Sequence, residues 1–423
     1  MIGPPGAGPE MQVTLSDLTR TFARIGLMSF GGPAAQIALM HRILVDERKW
    51  LTEKDFLGAL SFCMLLPGPE AMQLATWAGW RLHGTRGGVI AGLLFVMPGA
   101  LVVLALSMAY AAFGEVPLVQ AAFVGIQAAV IAIVIEALIR VSRRALRGRG
   151  AYVIAVLAFL ALFAFNVPFP VVVLGAGLWG LVTAPQAARD LPIVAAPKTL
   201  QTLGFWAGLW LVPLAGLWLH GGLLFDIGWF FSKLAVVTFG GAYAVLAWMT
   251  QDVVQVQGWL TIDQMMAGLG LAETTPGPLI LVTEFVGYMA GHGAGGWSVG
   301  VMAAGITLWM TFVPCFLWIF VGAPYLARIT ADPRLSGALA AIMAAVVGVI
   351  ANLSLWFALH LLFGTLVTLG AGPVQMIWPV WSSLNGVALL LALGAGVLLL
   401  WFHRPLWLVL LTSAAVSVGF ALV

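Results

Sequence analysis

The sequence predicts an all-α polytopic membrane protein made of two homologous halves, arranged as an inverted-topology repeat with broken, re-entrant helices. Apolar residues make up 62% of the 423 residues, charged residues make up 8%, and the mean hydropathy is +1.05. This composition indicates that lipid surrounds the chain. Several apolar runs reach the ~20 residues that cross a bilayer as a helix. Three short motifs also occur twice in one register.

The long apolar runs are predicted to be transmembrane helices. The clearest are 87–113, 119–138, 200–220, 297–326 and 377–401. Between the two copies of the repeat we expect five spans, over 87–113, 118–138, 151–166, 168–184 and 200–220. An odd number of crossings inverts the second copy in the membrane, which is a common architecture of secondary transporters.

Three motifs carry the internal repeat. Phe-Gly-Gly at 30–32, Trp-Leu-Thr at 50–52 and Pro-Gly-Pro at 67–69 each recur 209 residues later, at 239–241, 259–261 and 276–278. One common offset for three motifs indicates an internal duplication. The predicted organisation is therefore a flexible cytoplasmic tail over 1–19, a first transport repeat with a cytoplasmic linker over 20–199, and a second transport repeat over 200–423.

The loop charges predict the orientation. The loop 41–54 holds four lysines and arginines, whereas its repeat partner 250–263 holds none. The positive-inside rule places the first loop in the cytoplasm and the second outside, and it also places the five arginines between 140 and 149 in the cytoplasm. A nucleic-acid patch is the rival interpretation of those arginines. We do not expect one, because no aromatic residues lie among them.

Each Pro-Gly-Pro motif is flanked by apolar segments that are too short to cross the membrane alone, such as the 11 residues of 56–66. A pair of re-entrant half-helices that meet at the motif accounts for these lengths. Pro69 and Pro278 are then placed to begin half-helices. The free N–H groups and positive dipole end of such a helix favour an oxyanion. The alternative is a simple kink between packed helices, but the duplication of the motif favours a ligand site.

The substrate-binding candidates are the residues of these helix breaks and their polar neighbours. They are Gly31, Gly32, Pro33, Pro67, Gly68, Pro69, Gln73, Gly240, Gly241, Thr274, Thr275, Pro276, Gly277 and Pro278. Close helix packing is an equal explanation for the glycines, and helix capping is an alternative role for the threonines. Arg24 and Lys233, each six residues before a Phe-Gly-Gly motif, are candidate cationic contacts unless their side chains extend to the membrane surface.

Carboxylates in apolar segments are costly and are therefore functional candidates. Glu70, Glu273 and Glu284 are the candidates for proton coupling. We expect Glu284 in the middle of a helix and Glu273 near a helix C-terminus. Glu136 is a weaker candidate, because Arg140 lies four residues later and can pair with it.

Enzymatic and metal-binding functions find little support in the sequence. Cys63 and Cys315 lack metal-ligand spacing, so no metal and no cofactor are expected. A G-x-S-x-G motif at 296–300 matches a nucleophile pattern, but it begins a membrane helix and follows no strand. An intramembrane serine protease using Ser298 with His292 or His360 is the remote alternative, and the protein is not expected to be an enzyme.

The motifs FGGPAAQIALMH from residue 30, PGPEAMQLA from residue 67, FGGAYAVLA from residue 239 and TPGP from residue 275 resemble the chromate transporter (CHR) family in its long, two-domain form. The resemblance implies a multi-pass transporter of a prokaryotic inner membrane that exports chromate and confers chromate resistance. It also implies that the motif residues act in transport. Ala242 departs from the family pattern, which has a glycine there.

The resemblance implies a substrate and partners but leaves alternatives for both. Chromate is the expected substrate, and sulfate, its isostere, is the expected competitor. A sulfate-like oxyanion permease and a passive anion channel are the alternatives. The lipid bilayer is an expected partner, further copies of this chain are a partner to test for, and nucleic acid is not expected.

Overall fold

The computed structural model describes residues 13–185, 198–239, 242–372 and 374–422, and this part of the chain is mainly helical. The α-helices are α1 (Leu15–Met28), α2 (Gly32–His41), α3 (Glu53–Leu65), α4 (Glu70–Phe113), α5 (Pro117–Ala145), α6 (Arg149–Phe163), α7 (Phe169–Thr183), α8 (Thr199–His220), α9 (Leu223–Val237), α10 (Ala242–Gln251), α11 (Ile262–Thr274), α12 (Val282–Gly322), α13 (Leu326–Ala331), α14 (Pro333–Leu362), α15 (Gly386–Gly396) and α16 (Leu406–Leu422).

The helices have the lengths that a multi-pass membrane protein needs. Five helical segments in the described ranges are long and apolar enough to cross a membrane, namely Glu70–Phe113, Pro117–Ala145, Thr199–His220, Leu279–Ala331 and Pro333–Leu362. Shorter apolar helices cover Arg149–Phe163, Phe169–Thr183, Gly386–Trp401 and Leu406–Leu422. The predicted all-α membrane fold is confirmed.

The two longest helices each consist of a short arm and a long arm. In α4 the backbone leaves the helical region at His83 and at Gly84, where φ is 60° and ψ is −155°. In α12 it does so at Gly295 and at Gly296, where φ is 73° and ψ is −161°. The short arm of α4, from Glu70 to Leu82, is ~20 Å long at 1.5 Å per residue, which is less than a bilayer core. Short arms of this length fit the predicted half-helices.

Local structure recurs at the same 209-residue offset as the sequence motifs. A π-helical turn follows α2 at Arg42–Glu47, and another follows α10 at Asp252–Val256. Thr52 caps α3 by accepting a hydrogen bond from the Asp55 N–H at 3.1 Å, and Thr261 caps α11 by accepting one from the Gln264 N–H at 3.2 Å. The inverted orientation of the second copy in the membrane stays a prediction.

The two halves are interlocked. Helix α5 of the first half packs against α15 and α16 of the second half, and α14 of the second half packs against α6 and α7 of the first. Glycines allow this close approach, because a Cβ added at Gly125 would collide with the backbone of Ser413 and one at Gly348 would collide with the backbone of Ala155. Small residues at helix contacts are typical of membrane bundles.

A β-hairpin interrupts the helical chain and corrects one predicted span. Strands β1 (Leu366–Ala371) and β2 (Val374–Pro379) pair antiparallel. The prediction of one span over 377–401 was wrong, because β2 takes the first residues of that run and the helix begins only at Gly386. Asn385 caps this helix, its side chain accepting a hydrogen bond from the Ala388 N–H at 3.1 Å.

The boundary of the predicted N-terminal tail also changes. Helix α1 begins at Leu15, so residues 15–19 of the predicted tail 1–19 are helical. The cause is local, since the Thr14 hydroxyl accepts a hydrogen bond from the Asp17 N–H at 3.1 Å and caps the helix. Residues 1–12 lie outside the described residues.

Candidate functional site

The helix breaks of the two halves are joined to one another by a reciprocal pair of hydrogen bonds. The Gly68 N–H donates to the carbonyl of Thr238 at 2.7 Å, and the Gly277 N–H donates to the carbonyl of Ser29 at 2.8 Å. Gly68 and Gly277 are repeat equivalents, as are Ser29 and Thr238. Each Pro-Gly-Pro turn is therefore held by the Phe-Gly-Gly break of the opposite half, and four interrupted helices meet in one region.

The backbone at these breaks explains why glycine is required. Gly31, Gly32, Gly68 and Gly277 have φ angles of +88°, +78°, +123° and +91°, which L side chains rarely adopt. The two kinds of break differ in their surroundings. A Cβ on Gly68 would lie 2.8 Å from Gln73 Nε2, whereas a Cβ on Gly32 would meet no atom within 4 Å. The Pro-Gly-Pro turn is packed, and the Gly-Gly break borders open space.

Two buried glutamines bond to the breaks with their amide groups. Gln73 Nε2 donates to the Pro67 carbonyl at 2.7 Å, and Gln36 Nε2 donates to the Gly277 carbonyl at 2.6 Å. Both Oε1 atoms are buried without a hydrogen-bond partner among the described residues. Gln73 was predicted from the sequence as a site residue, and Gln36 was not. The available signal was that both residues are polar where the second repeat has valine, at Val245 and Val282.

Burial divides the predicted site residues into two groups. The Pro-Gly-Pro turns at 67–69 and 276–278 are buried, as is Thr275. Gly31 and Thr274 are exposed, Phe30 is 51% exposed, and Gly32 and Pro33 are half-buried. In this conformation, an incoming ligand reaches the Gly-Gly break of the first half and the end of α11 before it reaches either Pro-Gly-Pro turn.

A cavity of about 410 Å³, which we call the Arg140 cavity, opens at this break. Its lining residues come from both halves and include Phe30, Gly31, Glu136, Arg140, Glu273, Thr274, His403 and Arg404. A neighbouring cavity shares Glu136, Arg140 and His403 with it and adds Arg143 and Arg144. Among the described lining residues of the two cavities, four arginines accompany two glutamates. The cavity therefore carries an excess of positive charge.

Arg140 is paired within the cavity. Its guanidinium donates to Glu136 Oε1 at 2.5 Å, and both side chains keep about a third of their surface exposed, at 36% and 29%. The pairing of Glu136 with Arg140 is confirmed. Sequence reasoning treated this pair as a local one and did not connect it with the site, because Arg140 and Glu273 are far apart in the chain. An exposed, singly paired guanidinium can exchange its partner for an oxyanion.

Glu273 lies in the last turn of α11, near the helix C-terminus as predicted, and it faces the same cavity. Its Oε1 accepts a hydrogen bond from the Tyr243 hydroxyl at 2.5 Å. Tyr243 lies in the second Phe-Gly-Gly motif region, and the sequence analysis did not select it. The repeat comparison offered a signal, because Tyr243 and Glu273 replace Ala34 and Met64 of the first half. This tyrosine and carboxyl pair therefore has no counterpart in the first repeat.

The other two acids stand at helix starts. Glu70 lies in the first turn of α4, and Glu284 lies in the first turn of α12. The expectation that Glu284 is mid-helix was wrong, because α12 begins only at Val282, after a 3-10 turn at Leu279–Leu281. Glu284 is 1% exposed, and its Oε2 has no hydrogen-bond partner among the described residues. A positive helix end favours a carboxylate at such a position.

The remaining predicted residues are distributed as follows. The hydroxyls of Thr274 and Thr275 donate to helix carbonyls, at 2.8 Å to Leu271 and 2.9 Å to Ala272, so both act as helix caps in this conformation. Arg24 is exposed on α1. Lys233 Nζ lies 5.7 Å from the ring centroid of Trp229, a cation–π contact. Gly240 and Gly241 lie outside the described residues.

The structure gives the protease alternative no catalytic arrangement among the described residues. Ser298 lies just after the bend of α12. His360 Nδ1 lies 2.8 Å from the carbonyl of Trp356, within its own helix, and His292 stacks on Tyr288 at a centroid distance of 5.8 Å. Neither histidine hydrogen-bonds to Ser298 in the described structure.

Known proteins similar to this chain are transporters. The family described as Chromate transporter matches residues 16–181 and 225–418. A chromate transport protein of Pseudomonas aeruginosa is 35% identical over 360 residues, which cover 82% of this chain and 80% of the relative. A probable chromate transport protein of Synechococcus elongatus is 30% identical, covering 80% of this chain and 83% of the relative.

A chromate transport protein of Cupriavidus metallidurans is also 30% identical, over 80% of this chain and 81% of the relative. No solved structure matches the chain significantly. The family match falls in two segments, one in each of the predicted halves. Its extent, together with the identity of these relatives over most of their length, establishes that the chain belongs to the chromate transporter family.

Proposed function

We propose that this protein is a secondary transporter that exports chromate across a prokaryotic inner membrane and thereby confers chromate resistance. Membership of the chromate transporter family and the similarity to named chromate transport proteins support chromate as the substrate. The segments 20–199 and 200–423 act as two transport repeats in inverted orientation, and the anion binds near the membrane midplane where they meet.

The observation that carries this proposal is the Arg140 cavity. It extends from an arginine-rich end of the molecule to the Gly31 break and to the end of α11. By the positive-inside rule, we place this arginine-rich end in the cytoplasm. A positively charged mouth raises the local concentration of a divalent oxyanion and speeds its capture. This arrangement suits a transporter that collects an anionic substrate from the cytoplasm.

The binding groups follow from what an oxyanion accepts. Helix α2 begins at Gly32 after Gly31, and no side chain caps its first N–H groups. Those N–H groups and the Arg140 guanidinium are donors within reach of the open cavity. The buried groups contribute after a rearrangement that exposes the breaks. They are Pro67, Gly68, Pro69, Gln73, Thr275, Pro276, Gly277 and Pro278, with Gly240 and Gly241 as the second break and Arg24 and Lys233 as outer cations.

Glu273 is the leading candidate for proton coupling, with Glu70 and Glu284 as the other two. Glu273 faces the open cavity and is therefore accessible to water, whereas Glu284 is 1% exposed. A carboxylate beside an arriving oxyanion repels it, and protonation removes that repulsion. Proton uptake at Glu273 would thus accompany anion binding.

Chromate uptake into everted membrane vesicles tests this function. We expect saturable accumulation that sulfate inhibits and that changes when the proton gradient is collapsed. Vesicles from cells without the protein provide the baseline. Protein that is folded and inserted but accumulates no chromate above this baseline would remove chromate as the substrate and leave the fold unaffected.

The same assay separates the alternatives. A sulfate-like permease would take up radiolabelled sulfate with a lower KM than chromate. A passive channel would show a flux that rises linearly with anion concentration and, at a fixed membrane potential, does not depend on the pH gradient. The protease alternative requires that Ser298→Ala abolish activity, whereas a transporter keeps its uptake in that variant.

A further inference from the structure

A second polar cavity lies under the β-hairpin, at the other end of α6 from the arginines. We call it the hairpin cavity, and its volume is about 200 Å³. Its polar lining residues include Asn166, Thr250, Gln255, Asn352 and Trp356. Helix α6 begins at Arg149, shortly after the end of α5, and ends at Phe163, which lines the hairpin cavity. Its 15 residues span ~22 Å, so the hairpin cavity lies that far from the arginine at the start of this helix.

The two cavities occupy equivalent positions of the repeat. Glu136 and Arg140 lie 19 and 23 residues after the proline that begins α5. Asn352 and Trp356 lie 19 and 23 residues after the proline that begins α14. The helix contacts agree with this correspondence, because α5 packs against α15 and α16 while α14 packs against α6 and α7.

The turns that close the two cavities also correspond. His403 and Asn166 have nearly the same left-handed backbone, with φ angles of 50° and 49°, and each stands two residues before a proline. In each turn, the N–H of the next residue donates a hydrogen bond to a carbonyl of the preceding helix. Arg404 donates to Leu398 at 3.0 Å, and Val167 donates to Ala161 at 2.9 Å. His403 lines the Arg140 cavity, and Asn166 lines the hairpin cavity.

The hairpin cavity differs from the Arg140 cavity in charge. Its described lining residues contain amides, hydroxyls and an indole, but no arginine, lysine, aspartate or glutamate. Two of its donors are unused, since Thr250 Oγ1 and Trp356 Nε1 are buried without a hydrogen-bond partner among the described residues. Thr250 is only 1% exposed. Buried polar atoms without partners are rare and indicate a bound ligand or water.

The two cavities also differ in depth. The Arg140 cavity reaches Gly31 and Thr274 at the breaks. The repeat equivalent of Thr274 is Leu65, and neither Leu65 nor Phe239 of the second break lines the described part of the hairpin cavity. Among the described residues, the Gly31 break and the end of α11 therefore open towards the arginines, and their described equivalents do not reach the hairpin cavity. This asymmetry is expected of an alternating-access carrier facing one side.

We propose that the hairpin cavity is a second oxyanion site, the one from which the transported anion is released on the outer side. This inference rests on the proposed export function and adds the location of the exit. Neutral donors suit release, because they hydrogen-bond an oxyanion without the strong attraction of a guanidinium. The repeat thus uses one architecture twice, with cations where the anion is captured and with amides where it leaves.

Cysteine protection tests the proposal directly. Gln255→Cys places a thiol on the exposed rim of the hairpin cavity, and Val256→Cys places one next to it, where the side chain does not line the cavity. Native Cys63 and Cys315 are buried. A membrane-impermeant maleimide is added to intact cells with or without about 10 mM chromate, at constant ionic strength. A site with a Kd of about 5 mM or less slows labelling of Gln255→Cys at least threefold.

The control variant separates binding from oxidation of the thiol by chromate. Oxidation would slow labelling of both cysteines, whereas binding in the cavity slows only that of Gln255→Cys. Equal rates for Gln255→Cys with and without chromate, or equal protection of both cysteines, would overturn the proposal. Chromate uptake by the same variants in everted vesicles is measured in parallel. Uptake without protection removes only the exit site, and protection without uptake removes only the export function.

A gain of charge provides a second variant. Trp356→Arg adds a cation at the position equivalent to Arg140, and in the Gln255→Cys background it should lower the chromate concentration for half protection about tenfold. The rate of labelling without chromate reports whether the cavity is intact. An intact cavity in which the half-protecting concentration is unchanged would contradict the proposed site.

Discussion

Single side chains decide what the Arg140 cavity can hold. Arg140 donates to Glu136 at 2.5 Å, and this pair lies in the same cavity as Glu273 and the Gly31 break. An ion pair with about a third of its surface exposed contributes little to stability, so its loss leaves the fold intact. The charge of the guanidinium matters more for an oxyanion, which it can bind with two parallel hydrogen bonds.

Arg140→Gln should therefore raise the KM for chromate uptake, while the maximal rate changes less. Losing one charged hydrogen-bonding group weakens binding by ~1.5–3 kcal/mol, about a 10- to 100-fold increase in KM where KM reflects binding. Glu136→Gln should lower the KM, because it frees the guanidinium. Initial rates in everted vesicles over a range of chromate concentrations measure both variants.

Arg149→Gln is the matched control for Arg140→Gln. Arg149 begins α6 at the same arginine-rich end, and it does not line the described Arg140 cavity. Its removal takes one charge from the surface and should change the KM by less than about twofold at physiological ionic strength. Equal effects of the two arginine substitutions would mean that overall surface charge, and not a specific contact, attracts the anion.

Glu273→Gln should remove the dependence of chromate uptake on the proton gradient and leave gradient-independent exchange intact. Glutamine keeps the size of the side chain and can still accept the hydrogen bond of Tyr243, but it carries no proton. Uptake with and without an imposed gradient measures the effect. Glu284→Gln is the comparison, because Glu284 is buried away from the open cavity. If Glu284→Gln abolishes the gradient dependence and Glu273→Gln does not, the proton is carried by Glu284 of α12 and not by Glu273.

The helix breaks depend on backbone conformations that only glycine supplies at low cost. At Gly68 the φ of +123° coincides with dense packing, since an added Cβ would lie 2.9 Å from Cys315 Sγ. At Gly32 the φ of +78° occurs in open space. The Pro-Gly-Pro turn at Gly68 holds the two halves together, and the Gly-Gly break at Gly32 leaves room for a ligand.

Gly68→Ala should destabilise the protein more than Gly32→Ala. Both substitutions carry the strain of a left-handed alanine, ~1–2 kcal/mol, and Gly68→Ala adds ~1–3 kcal/mol of overpacking. Unfolding of the purified protein in detergent, followed by tryptophan fluorescence, measures the difference. Gly58→Ala is the control, because Gly58 is helical with no atom within 4 Å of an added Cβ. Equal losses for Gly68→Ala and Gly58→Ala would contradict the packing of the turn.

Element boundaries show which features the sequence could predict. Hydropathy and the positions of Pro-Gly-Pro predicted α3, α11 and the breaks, because those features depend on neighbouring residues. Hydropathy also predicted one span where the structure has β2 and α15, because an apolar strand and an apolar helix have similar mean hydropathy. Asn385 was the missed signal, because an asparagine before an apolar run is a helix N-cap.

The site was predicted less completely than the fold, and the reason is distance along the chain. The repeat identified Gly31, Gly68 and Gly277, which are duplicated. Arg140 joins the site only through the packing of α5 against helices of the second half. Tyr243 joins it through a hydrogen bond to Glu273, which lies 30 residues later in the chain. A single sequence contains no signal for such contacts beyond the absence of a like residue at the equivalent position of the other repeat.

The packing of the whole molecule follows from the exchange of helices between the halves. Helix α14 lies against α6 and α7, and α5 lies against α15 and α16, so neither half encloses its own cavity. The Arg140 cavity takes Glu136 from the first repeat and His403 from the second, and the hairpin cavity takes Asn166 from the first and Asn352 from the second. Rocking of one half against the other would open one cavity and close the other.

This mechanism requires that the two repeats be inverted, and labelling of two equivalent positions tests it. Arg48 and Gln257 are exposed, lie 209 residues apart, and each follows a π-helical turn with a backbone hydrogen bond, at 2.9 Å to Ile43 and at 2.8 Å to Asp252. In intact cells, an impermeant maleimide should label Gln257→Cys and not Arg48→Cys. Everted vesicles should give the reverse pattern. Labelling of both cysteines from one side would make the repeats parallel, and the two cavities could not then serve as entrance and exit.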